Sequence, residues 1–270
     1  MKSLALIFCT ALAMAQAQKT FDTPEAAAEA LIHAAADNDA AALTAIFGPQ
    51  GSTIMTGGSP GQDKAERDEF ASIAKNKHRL QRDSMNLDRM ILCIGNEDWP
   101  FPVPIVRQNG QWHFDTAMGR EAMQARRIGA DELDVIEICA GYVGAQMQYA
   151  QQHKMQEYAP KLDALGNLVP AGLIEASSAN PKPYHGYYFR ILSEQGANAS
   201  GGAHNYVVKN TMLGGFALVA WPADYGVTGV HTFIVNQDGM IYEKNLGRPA
   251  NKLAPPVTRY DPDRSWRPVY

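Results

Sequence analysis

The chain has 270 residues, 46% of them hydrophobic and 19% charged, with 23 Gly, 16 Pro and 3 Cys. That composition supports a packed core and excludes the disordered and collagen-like classes. A formal net charge of -4, with no run of Lys or Arg, argues against nucleic acid as a partner. No internal stretch reaches the roughly 18 to 20 apolar residues needed to cross a bilayer.

Residues 1–17 read as a secretory signal peptide. Lys2 supplies the positive end, Leu4 to Met14 the short apolar run, and Ala13, Ala15 and Ala17 the small residues of a cleavage site. Phe8 precedes Cys9 inside the apolar run, which excludes a lipoprotein signal. The expected product is a soluble periplasmic or secreted protein that does not span the membrane. Cleavage removes Cys9 and leaves Cys93 and Cys139. An oxidising compartment favours a disulfide between such a pair, and two separately buried thiols are the alternative.

Helix signals open the mature chain. Thr23 caps, Pro24 suits the first helical position, and Asp39 caps a second short helix, Ala40 to Phe47, that stops at Gly48-Pro49. The Gly- and Pro-rich stretch over 48–62 reads as a loop, followed by a charged helix from Gln62 to His78. Strands are expected at Met85 to Gly95, Phe101 to Arg107 and Gln111 to Asp115, with Asn109-Gly110 as a tight hairpin turn. Arg120 to Gly129 reads as a polar connector and places a domain boundary there.

Asp131 to His153 carries the strongest helical periodicity, through Leu133, Ile136, Ala140, Val143, Met147 and Ala150, widened by Val135, Cys139, Tyr142 and Tyr149. Beyond Pro160 the pattern turns to strands: Tyr187 to Leu192, Tyr206 to Val208, Phe216 to Trp221, Val230 to Val235 and Met240 to Glu243. The Pro- and Arg-rich tail from Pro249 reads as irregular. The expected fold is α+β, two tandem domains of helices on mostly antiparallel sheets, over 20–119 and 128–247, with a tail over 248–270.

Three resemblances accompany this reading. The ordered set Ala145 to Ala150, Leu162 to Gly166, Gly186 to Phe189, Ala220-Trp221-Pro222, Gly226 to Gly229 and Asn236 to Gly239 resembles the globular part of pilin-like and pseudopilin-like proteins. That implies a long helix on an antiparallel sheet, although charged Asp131, Glu132, Asp134 and Glu137 replace the apolar start of a filament-packing helix. Arg126 to Gly129, with Gly214 to Pro222, resembles a family of exported bacterial proteins known only as a domain of unknown function. The first half is similar in outline to nuclear-transport-factor-2-like domains.

The sequence holds no H-E-x-x-H, no phosphate-binding loop and no C-x-x-C. Trp99, Trp112 and His113 are candidates for the wall of a ligand pocket in the first half, with a core role for Trp112 as the alternative. Tyr188, Tyr206, Trp221 and Tyr225 are candidates for an outward aromatic interface. His185, His204 and His231 fall near predicted strand ends, and Asp224, Tyr225 and His231 surround the Gly226 to Gly229 loop. Their spacing assigns neither metal nor cofactor. The expected function is a non-enzymatic interaction or accessory module of the bacterial envelope with an envelope protein as partner. The alternative is a small-ligand binder or enzyme using a cavity in the first domain.

Overall fold

Thr23 begins the first helix by accepting a hydrogen bond from the backbone N–H of Ala26 at 3.1 Å. Helix α1 (Pro24–Ala36) is followed by α2 (Ala40–Phe47), started by Asp39, whose carboxylate accepts from the N–H groups of Ala41 and Ala42. A capping box between Ser59 and Gln62 opens α3 (Pro60–Asn76). The computed structural model describes residues 17–51, 54–55, 59–153 and 156–269. The expected leader lies almost wholly outside them. The chain divides into two compact units, residues 1–123 and 124–270, and the division falls within one long helix.

The first unit continues with β1 (His78–Arg82), β2 (Arg89–Ile94), β3 (Trp99–Pro100), β4 (Ile105–Gln108) and β5 (Gln111–Phe114). They form an antiparallel sheet in the order β1-β2-β4-β5, with β3 on β2. Two expected strands change shape here. The strand expected from Met85 begins at Arg89, because the Asp83 and Asn86 side chains accept from the N–H groups of Met85 and Asp88 and hold a turn. The strand expected over Phe101 to Arg107 forms a regular ladder only from Ile105: the Phe101 N–H donates to the Leu92 carbonyl at 2.7 Å, but Pro102 and Pro104 have no N–H to donate. Alternation survives there without a ladder: Phe101, Val103 and Ile105 are all buried. The core of this unit centres on Phe47, Phe70, Phe101 and Phe114, with ring centroids as close as 5.3 Å.

Helix α4 (Thr116–Gln152) starts where Asp115 accepts from the N–H of Met118 at 3.0 Å. The connector expected over Arg120 to Gly129 is helix instead. Its residues are mostly strong helix formers, and Gly129 alone costs about 1 kcal/mol relative to Ala. The buried line of this helix runs through Val135, Cys139, Tyr142, Gln146 and Ala150. Leu133 and Met147, expected inside, are exposed, so the helix is rotated from the expected orientation towards the Tyr142 side.

The second unit then adds a 3-10 segment (Leu162–Leu168), α5 (Ala171–Glu175), β6 (Tyr187–Leu192), β7 (Glu194–Gln195), β8 (His204–Asn205), β9 (Val207–Val208), β10 (Thr211–Met212), β11 (Ala217–Pro222), β12 (Thr232–Asn236), β13 (Ile241–Lys244) and β14 (Arg267–Pro268). The main sheet is antiparallel in the order β14-β13-β12-β11-β6, and every residue of β11 and β12 is buried. The tail expected to be irregular supplies edge strand β14, and it buries Tyr260 and Trp266. Both units are therefore α+β with antiparallel sheets. No helix among the described residues is long and apolar enough to cross a membrane.

The two cysteines are not bridged. Cys93 is buried in β2 of the first unit and Cys139 on α4 in the core of the second, each a free thiol. Cys139 fills a place in its unit's core, as a small hydrophobe does, while the Cys93 Sγ lies 3.8 Å from Gln81 Oε1.

Candidate functional site

In the first unit, α3 sets Glu66, Glu69, Phe70 and Ile73 along one side at helical spacing. Trp99, Phe101 and Met55 face them, and Met123 adds a further apolar side chain. Between them lies an open groove of about 470 Å3. Trp99 is 47% exposed, Ile73 39% and Met123 36%, so three large apolar groups meet water around one depression. Glu66 and Glu69 sit exposed on its rim and make no hydrogen bond or ion pair among the described residues.

Of the three residues expected to share a pocket, only Trp99 reaches this groove. Trp112 lies in the β4–β5 hairpin, where its N–H and C=O pair with the backbone of Phe21 and the Arg107 guanidinium stands 5.7 Å from its ring. His113 borders a separate hollow with Gln18, Gly48 and Thr116.

The aromatic set of the second unit does not form an outward patch. Tyr206 is fully buried and its hydroxyl donates to Gln195 Oε1 at 2.9 Å. Trp221 is buried and its Nε1 donates to the Lys252 carbonyl at 2.9 Å. These polar tips find partners inside, which is what permits the rings to be buried. Tyr188 is half-buried beside Trp221, and Tyr225 is half-buried with its hydroxyl on Asn245.

The histidines separate into different pairs. His231 Nδ1 lies 3.0 Å from Glu132, His185 Nδ1 lies 2.6 Å from Asp134, and His204 faces the carbonyls of Gly202 and Gly214. Asp224 is paired with Lys252 at 2.8 Å, and that hydrogen bond holds its carboxyl below the usual carboxylate range. Asp224, Tyr225 and His231 thus have separate partners. Among the described residues no three His, Cys, Asp or Glu side chains are grouped so as to hold a metal ion.

A family model described as "Protein of unknown function (DUF2950)" matches residues 18–165 and 161–269. The chain belongs to the DUF2950 family. No curated protein and no solved structure matches it.

The match covers both units of this DUF2950 chain, the groove included. Chemically, the groove offers hydrocarbon and aromatic surface to an apolar group and two carboxylates at its mouth. Such a lining suits an apolar group, and carboxylates at the rim disfavour negative charge. Glu132, Asp134 and Tyr187 went unassigned as polar-site residues in the sequence. In the sequence Glu132 and Asp134 stand only as charges that replace the apolar start of a filament-packing helix, and their close spacing with Asp131 and Glu137 is the one signal they carry.

Proposed function

We propose that this DUF2950 chain is an exported binding module of the bacterial envelope whose first unit takes up a neutral, hydrocarbon-rich small ligand. The observation that carries the reading is the shared exposure of Ile73, Trp99 and Met123 around a groove of about 470 Å3. Burying such groups contributes about 25 cal/mol per Å2 of apolar surface removed from water. Grooves with this lining are the usual seats of small ligands. Glu66 and Glu69, without a partner among the described residues, disfavour an anionic head group. The leader-like residues 1–17 support export, and the second unit, a helix with an antiparallel sheet, has the elements of a pilin-like accessory module.

The test titrates the mature protein with Nile red and with decanol, following fluorescence and calorimetric heat. Saturable binding is expected, weakened at least tenfold by Trp99→Ala and by Ile73→Glu, with decanoate binding more weakly than decanol. Equal binding to both variants overturns the assignment of the groove. Crosslinking in the native envelope provides the second arm. A partner protein seated over Trp99 overturns the small-ligand part of the reading, and recovery of the protein in the cytoplasm with residues 1–17 attached overturns export.

A further inference from the structure

The second unit contains an open groove of its own. Helix α4 sets Asp134, Glu137 and Gly141 along it, while Pro170, Leu173 and Tyr184 form the facing wall around a volume of about 280 Å3. Ile138 and Tyr142 of α4 and His185 of the facing turn complete the lining, so Asp134 and Glu137 stand in a groove that is otherwise largely apolar and aromatic.

The turn that supplies this wall is tightly built. Tyr184 and Tyr187 exchange both backbone hydrogen bonds, at 2.9 and 3.0 Å, across His185-Gly186. Both central residues have positive φ, 46° and 73°, the conformation of a type I′ turn, where Asn-Gly is the usual choice. A histidine in this place reaches α4, and its Nδ1 meets Asp134 Oδ2 at 2.6 Å. That contact engages one oxygen of Asp134. Glu137, one turn further on, has no hydrogen bond or ion pair among the described residues.

Gly141 gives the groove its depth. A Cβ built there meets nothing within 4 Å, so no close packing requires glycine. Glycine in a helix interior costs about 1 kcal/mol relative to Ala, and here that position borders the open volume.

We propose that this groove is a second binding site, taking a small organic ammonium ion whose apolar body lies against Leu173 and Tyr184 and whose charge lies between Asp134 and Glu137. Charge complementarity argues for a cation: the lining sets the two carboxylates of Asp134 and Glu137 against the single imidazole of His185, which contacts one oxygen of Asp134. The Tyr184 ring lines the groove, and aromatic rings attract ammonium groups.

Phenethylammonium is the probe, with phenethyl alcohol as its uncharged counterpart, titrated calorimetrically into the full mature chain. The ammonium should bind at least tenfold more tightly than the alcohol. Glu137→Gln should weaken it several-fold, Asp134→Asn likewise, and Trp99→Ala should leave it unchanged. Gly141→Leu fills open space and improves helix propensity, so it should abolish binding while the melting temperature holds or rises. Absence of ammonium binding at millimolar concentration overturns the proposal. So does equal binding of the alcohol, unchanged affinity in a folded Gly141→Leu variant, or loss of binding in Trp99→Ala.

Discussion

Glu132 and His231 are joined twice. One carboxylate oxygen of Glu132 accepts from the backbone N–H of His231 at 2.9 Å, and the other lies 3.0 Å from His231 Nδ1. The first oxygen also accepts from the N–H of Val230 at 2.8 Å. A carboxylate from α4 thus closes the backbone at the start of β12, with the Tyr187 hydroxyl donating to the carbonyl of His231 at 3.0 Å. Burial by itself would raise the Glu132 carboxyl. The hydrogen bonds from His231 and the two backbone N–H groups outweigh it and hold the group below its ordinary value of 4.5.

A group with a depressed folded-state pKa adds stability above its unfolded value and loses it as pH falls through the folded value. Glu132→Gln should therefore lower stability at pH 7 by about 2 kcal/mol, the scale of a charge-assisted hydrogen bond to a buried partner. The gap from the parent chain should close as pH drops below 4.5. Thermal melts of both proteins between pH 3 and pH 7 check this. A gap that stays constant with pH would show that Glu132 acts by packing alone.

Gly229 explains a second feature of the same corner. A Cβ at this residue would stand 2.0 Å from the Tyr187 hydroxyl oxygen. Gly229→Ala should cost about 2 kcal/mol by overpacking. Tyr187→Phe in the same chain should recover little of it, because the ring Cζ and Cε2 still stand 2.4 and 2.6 Å from that Cβ. Urea unfolding of the two single variants and the double variant measures the coupling.

Gln146 is fully buried and satisfies a stretch of backbone from its side chain. It donates to the Ala159 carbonyl and to the Tyr142 hydroxyl, both at 2.9 Å, and accepts from the Ala159 N–H at 2.8 Å. Gln146→Leu keeps most of the volume but leaves the Ala159 N–H and C=O without these partners inside the core. The expected cost is about 3 kcal/mol, near the sum of two orphaned buried groups. The urea midpoint should fall with little change in slope.

Both thiols should be free and unreactive in the folded protein. Burial pushes the Cys139 thiol up to about 12 and raises that of Cys93 as well, so neither supplies thiolate at neutral pH. A thiol reagent should label the native mature chain slowly and label both cysteines once it is unfolded in guanidinium. Reducing agent should leave the melting temperature unchanged. An intact mass lower by two hydrogens would contradict the free-thiol assignment.

Local features were legible in the sequence wherever the physics is local. Thr23 and Asp39 cap as their side chains and neighbours require, and Asn109-Gly110 takes the positive-φ turn that its glycine favours. The α+β class followed from helical and alternating periods, each set within a few residues. Tertiary structure alone decided which face of α4 is inside, since Leu133 and Val135 are equally apolar and only packing exposes the first and buries the second. It also decided which aromatics meet water, leaving Trp99 half exposed while Trp221 is covered and hydrogen-bonded to Lys252. The Asp134–His185 and Glu132–His231 pairs join residues 51 and 99 positions apart, far beyond any local pattern. Such pairs depend on sheet register and on the rotation of one helix. Those are set by the summed burial of many side chains, not by the residues that end up touching.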